Sequence, residues 1–137
     1  MAIVDTNKVI RAYLVAQTAL IALVGQRIYI PRLPENAALP AISFFTRGGT
    51  STPYIPGELH PSVQFDCWSD NTIEARQVYG LLYDALQGIQ NIDVLVDGTT
   101  YKIWGAEEEV QGQDLQDIEI PTYFKVLTFF SFMIKAE

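Results

Sequence analysis

VQFDCWSDNTIEARQVYGLLYDAL, residues 63 to 86, contains the chain's only cysteine, set between an aspartate and a tryptophan just ahead of an amphipathic run. Val63, Phe65 and Cys67 alternate with Gln64, Asp66 and Trp68, the period-two pattern of a strand with one buried face. That alternation turns the Cys67 thiol toward the core beside Phe65 and sends Asp66 and Trp68 to the opposite face. Asn71, with Glu74 three residues later, has the spacing of a capping box, although Ser or Thr is the usual first residue. Ile73, Val78, Leu81, Leu82, Ala85 and Leu86 then recur at helical spacing as far as Gly88. One strand therefore feeds one helix, and the cysteine reads as a core residue.

Upstream, Asp5 or Thr6 can cap a helix through NKVIRAYLVAQTALIALVG, with Val9, Ile10, Tyr13, Leu14, Leu20, Ile21 and Val24 on one side and Gly25 as its stop. RIYI reads as a short strand, PRLPENAALP as a proline-bounded loop and AISFFTR as a second strand. GGTSTPYIPGELHP, residues 48–61, is dense in turn formers and reads as a long loop that contains Tyr54. Downstream, IDVLV and TTYKIWG flank Asp97-Gly98, a pair suited to the positive φ angles of a two-residue hairpin turn. Residues 105–119 read as an acidic loop. IPTYFKVLTFFSFMIKAE reads as a long final strand, apolar at its even positions and on part of its odd ones. Such a strand belongs in the middle of a sheet under a helix, or beneath a neighbouring subunit. The order predicts a single α+β domain over residues 1–137, with two helices on a mainly antiparallel sheet.

Composition narrows the function. At 137 residues, 49% hydrophobic and 18% charged, the chain has the make-up of one globular domain. No apolar run reaches the roughly 18 residues of a membrane span, and no secretory signal is read at the N-terminus, so no membrane partner is expected. Of the net charge of -7, the acids Glu107, Glu108, Glu109, Asp114, Asp117 and Glu119 form one block without a base. No basic stripe of the kind that binds nucleic acid is present. A single Cys and a single His make neither a disulfide nor a Cys/His zinc site. On one extended strand His60 and Cys67 would stand roughly 23 Å apart on opposite faces, out of reach for a nucleophile and its base. The acidic block lacks the ligand spacing of an EF-hand, and no phosphate or dinucleotide loop, GxSxG or HExxH occurs. No cofactor is expected, and the reading is non-enzymatic. Trp68 suits an interface or its rim, while Trp104 is expected to pack against the core.

The succession GQRIY, PAISFFTRGG, ELHPSVQFDCW and NTIEARQVYGLLYDAL resembles the tail completion proteins, or tail terminators, of long-tailed bacteriophages, over roughly residues 8 to 90. The resemblance implies a virion protein assembled in the cytoplasm of a bacterial host. It implies a ring, typically of six subunits, that docks on the head-proximal end of the tail tube, stops its polymerisation and presents a surface to the head connector. The expected partners are other copies of the chain, the tail tube protein and the head-to-tail connector, with DNA passing through the ring without specific binding. Subunits would be joined by strand edges, by the acidic segment with Glu107, Glu108, Glu109 and Asp114 meeting Arg27, Arg32 or Arg47 of a neighbour, or by both, with Tyr54 and Trp68 as further contacts. Alternatively the acids line the lumen, where negative charge repels passing phosphates. Another connector or tube component is the runner-up, and a small-ligand module with a pocket between helices and sheet is a reading of a different class.

Overall fold

The structure, a computed structural model, describes residues 5–51, 58–116 and 123–136. The elements are α1 (Thr6–Val15), α2 (Thr18–Val24), β1 (Ile28–Tyr29), β2 (Ala41–Ser51), β3 (Glu58–Ser69), α3 (Thr72–Leu86), β4 (Gln90–Val96), β5 (Thr99–Gln116) and β6 (Phe124–Ala136). They form an α+β fold around one six-stranded sheet of order β1-β2-β3-β6-β5-β4, antiparallel except for the β1–β2 pair.

The β3–α3 unit follows the sequence pattern. Val63, Phe65 and Cys67 face inward and are fully buried. In register, Cys67 sits between Ile42 of β2 and Val126 of β6. Asn71 caps α3 by accepting from the Glu74 amide at 2.7 Å, while the Glu74 carboxylate accepts from the Ser69 hydroxyl instead of returning to the cap. Ala75, Val78, Leu82 and Leu86 bury the sheet-facing side of α3, but Ile73 stands outside that side and is 74% exposed. Phe65 is the centre of the core, with ring centroids 5.2 Å from Phe44, 5.7 Å from Phe130 and 6.3 Å from Phe132. The final strand lies centrally between β3 and β5, and its even residues from Val126 to Ile134 are buried. Asp97 and Gly98 turn the β4–β5 hairpin with φ of 51° and 81°, as their residue types require.

Three expectations need correction. The N-terminal helix is two helices bent by 88°. The apolar stripe that ends at Leu14 would continue at Gln17 and Thr18. Instead Gln17 adopts an extended backbone and its side-chain amide donates to the Tyr13 carbonyl. Within the stretch expected as a loop, residues 48–51 belong to β2 and residues 58–61 to β3, while residues 52–57 lie outside the described residues. The β2–β3 ladder slips between Thr46 and Gly48; Gly48 and Gly49 have φ of 124° and 140°, and a Cβ at Gly49 would collide with the His60 carbonyl. The acidic segment is also strand as far as Gln116, paired with β6, and Glu109, Glu108 and Asp114 find partners on β2, β6 and α3; Asp117 and Glu119 lie outside the described residues.

The bend at Gln17 lets α1 close the fold. Its Arg11 donates to the Ile28 carbonyl of β1 at 2.9 Å, and its Asn7 accepts from Thr46 of β2 at 2.6 Å. On its other side Lys8 pairs with Asp97, at the end of β4, at 3.7 Å. One helix thus touches both ends of the sheet, which must curl to reach it. Tyr13 ties α1 to α3 through a 2.6 Å bond to the Ala85 carbonyl.

Burial, with the adjacent Asp66 carboxylate as a lesser cause, holds the Cys67 thiol far above the ordinary thiol range. In the native protein a maleimide at mildly alkaline pH should therefore label Cys67 orders of magnitude more slowly than it labels the unfolded chain in denaturant. Fast native labelling would show the thiol to be accessible.

Candidate assembly surface

The sheet has two unlike faces. The inner face carries the core and the helices. The outer face shows His60, Ser62, Gln64, Asp66 and Trp68 of β3 and Lys125, Leu127, Phe129, Ser131, Met133 and Lys135 of β6, aligned in register. On β4 and β5, Leu95, Trp104 and Val110 are 69%, 42% and 47% exposed, and neighbouring Met133 is 37% exposed. These apolar side chains cross the outer face without a covering element among the described residues.

Cations are threaded between the aromatic rings. The Arg47 guanidinium lies 4.1 Å from the Phe129 ring centroid, and the Lys102 and Lys125 ammonium groups lie 4.9 and 5.0 Å from the rings of Trp104 and Trp68. Each of these cations also has an acid: Arg47 reaches Glu109 at 3.4 Å, Lys102 reaches Asp93 at 3.7 Å and Lys125 reaches Asp66 at 3.9 Å. Ser62 accepts from Arg47 Nε at 2.8 Å and donates to Glu109 at 2.6 Å, which fixes that pair in place.

The two tryptophans exchange the environments expected of them. Trp68 lies on the outer face, as its parity requires, yet is only 9% exposed. Ala41 and Lys125 flank it in register, and its indole N–H donates to Ser43 at 2.9 Å. Trp104 falls where the β5–β6 register shifts between Ile103 and Gly105, so it stands out of the outer face and does not join the core.

The remaining site residues are dispersed. Glu108 points inward, where its carboxylate accepts from the Tyr79 hydroxyl at 2.6 Å and from Thr128 at 2.7 Å. Asp114 accepts from Arg76 of α3 at 2.9 Å. Arg27 donates to the carbonyls of Pro40 and Leu23 and steadies the chain around β1. Arg32 is exposed in the loop before β2. Glu107 is exposed on the outer face opposite Ser131. Tyr54 lies outside the described residues. The expected arginine–acid contacts thus include one pair, Arg47–Glu109, made within a single chain. Arg76 and Tyr79 of α3 and the buried Thr128 of β6 escaped the sequence reading because their partners on β5 are distant in sequence. Among the described residues no cluster of three or more His, Cys, Asp or Glu could hold a metal ion.

Tyr79 joins α3 to β5, since its hydroxyl also accepts from the Gly112 amide at 3.1 Å. Burial, and then the bond to Glu108, raise its pKa. Tyr79→Phe leaves a half-buried carboxylate and an amide each short of one partner, and should cost about 1–3 kcal/mol of stability in urea unfolding. Asp66 gives a pH signature. Burial raises its pKa against the opposing effects of Lys125 and Gln64. The native state then holds this proton more tightly than the unfolded chain does. The stability that this group contributes is lost as pH rises from the unfolded carboxylate value, about 3.9, through the raised native value. Asp66→Asn removes this titration, so the variant should gain stability relative to the parent across that interval. Parallel unfolding curves with a constant offset from about pH 4 to about pH 7 would count against it.

A family model described as tail completion protein gp17 matches residues 8–99. No curated protein matches the sequence. Among solved structures, a chain of the virion of a native gene transfer agent (GTA) particle is similar in fold, with a TM-score of 0.64 at 16% identity, over 96% of this chain and 94% of that one. The family match spans β1 to β4 and α3, the elements that frame the sheet, and the chain belongs to the tail completion protein gp17 family, structural components of phage-like tails.

Proposed function

We propose that the protein caps the head-proximal end of a phage tail tube as a closed ring, of six subunits by its resemblance to tail terminators. On this reading the ring stops tube polymerisation and joins the tail to the head connector. The observation that carries the reading is the exposed apolar row of Leu95, Trp104, Val110 and Met133 on the outer face of a tail completion protein. Exposed apolar side chains gathered on one sheet face, with Trp104 and Met133 close together across β5 and β6, suit a surface that another protein covers. The space between helices and sheet is packed with Phe44, Phe65, Phe130 and Phe132, which favours an assembly role over a ligand pocket there.

The acids of β5 serve this reading differently from the sequence expectation. Glu108, Glu109 and Asp114 are engaged within the subunit, leaving Glu107 as the carboxylate of that group available to a neighbour or to a lumen. The outer face, with its apolar row, is therefore the better-supported contact surface.

A stop codon in this gene of the parent phage or prophage should yield overlong or headless tails beside filled heads in electron micrographs of the lysate. Intact, infectious particles would overturn the proposal.

A further inference from the structure

The helical side of the molecule offers a second surface. Ala75, Val78, Leu82 and Leu86 direct one side of α3 at the sheet, while Gly80, Leu81 and Asp84 lie on its other side. With Ala19, Ala22 and Leu23 of α2 they line an open, mostly apolar groove of about 490 Å³. Gly80 sits in the middle of a 15-residue helix although a Cβ there would meet nothing within 4 Å. Packing inside the subunit does not call for a glycine at this point, and a mid-helix glycine costs about 1 kcal/mol relative to alanine. Its effect is to leave the groove open.

The groove and the outer sheet face lie on opposite sides of the subunit and complement each other. One is an open groove lined mainly by small and aliphatic residues; the other exposes the larger side chains Trp104, Val110 and Met133, of which Trp104 and Met133 also border a hollow of about 390 Å³ with His60, Glu107 and Ser131. Each also carries charge that no described partner takes up. Asp84 is exposed at the groove and pairs with no described residue, while Lys135, beside Met133 on the sheet face, likewise makes no ion pair with a described residue. On the sheet face Glu107 is also exposed, on the other side of Met133. Arg47, Lys102 and Lys125 on that face already have acids.

We infer that the occupant of the groove is a second copy of this chain, whose outer sheet face seats Trp104 and Met133 between α2 and α3 and sets Lys135 against Asp84. The inference rests on the ring reading and supplies its interface. Contact between two different patches is heterologous, so each subunit passes it on to the next until the rotation closes. The paired cations over Phe129 and Trp68 then form the rim of the contact, and the uncovered side chains its centre.

The test is cross-linking of assembled tails with a short bis-maleimide, using full-length chains that carry Asp84→Cys, Lys135→Cys or both; Cys67 is buried and stays silent. The double variant should give a covalent ladder that ends at the ring number, and neither single variant should give a dimer. A dimer from Lys135→Cys alone would show sheet faces meeting each other and overturn the inference. Monomers only, in tails whose terminal ring is visible by electron microscopy, would overturn this interface and leave the ring reading standing. Tails that carry the protein without any ring would overturn both. As a second check, Asp84→Lys should lower the yield of joined particles at least tenfold and Lys135→Glu in the same chain should restore it; failure of the reversal to rescue would count against the pairing.

Discussion

A strand that outruns its neighbour must satisfy its peptide groups by other means, since backbone donors and acceptors near a core are costly to leave unpaired. β5 extends to Gln116, whereas β4 pairs with it only from Thr99 to Gly105, so the far half of β5 has an edge without a strand. Side chains along α3 and the two residues that follow it take that place. The Gly88 amide donates to the Ala106 carbonyl, the Gln87 side chain accepts from the Glu108 amide, and Tyr79 and Arg76 hold the amide and carbonyl of Gly112. These bonds fix where α3 lies along the sheet and which of its sides faces outward. They also explain Gly112, where a Cβ would come within 2.9 Å of the Tyr79 ring and 2.6 Å of Val126. An edge sealed in this way is closed to strand addition along that stretch, which leaves faces as the means of association there.

The same geometry shows why some of the fold was legible in the sequence and some was not. The alternation around Cys67, the Asn71 cap and the Asp97-Gly98 turn are local: the pattern and the force that uses it lie within a few residues. The even-numbered apolar positions of β6 were legible for the same reason. What escaped is non-local. Residues 105–116 resemble a solvated loop because nothing nearby in sequence says that Thr128, Tyr79, Arg47 and Arg76 will meet their acids. Trp68 and Trp104 were exchanged because period-two parity assigns a face but does not show whether that face is covered or where the ladder slips. The break between α1 and α2 left a trace, a polar Gln17-Thr18 where the apolar stripe was due, but a lone polar pair is compatible with a continuous helix.

The candidate site was legible in outline only. The outward side of the last strand was named as a contact surface, and most of the other named residues are engaged within the subunit: Arg27 on backbone carbonyls, Glu108 inside the helix–sheet contact, Asp114 on Arg76 and Glu109 on Arg47. A block of like charge in a sequence invites an intermolecular reading because its repulsion must be relieved somewhere. Here much of it is relieved inside the fold, one acid at a time. The field such a segment could impose on passing DNA is correspondingly weaker than its composition implies.

Internal pairing of the polar groups has a further consequence for the proposed ring. Where cations and acids on the outer face already satisfy one another, a neighbour gains little by replacing those partners, since exchanging one exposed ion pair for another is nearly neutral. The favourable term must come from groups that water serves badly, namely Leu95, Trp104, Val110 and Met133. Specificity then falls to the few charges left over. A subunit that presents its apolar row on one side and an apolar groove on the other can bind a copy of itself only in one sense, and a component that must close into a ring needs that polarity. The pairing of Arg47, Lys102 and Lys125 within the chain is thus part of what lets a surface with so many charges act as a largely apolar one.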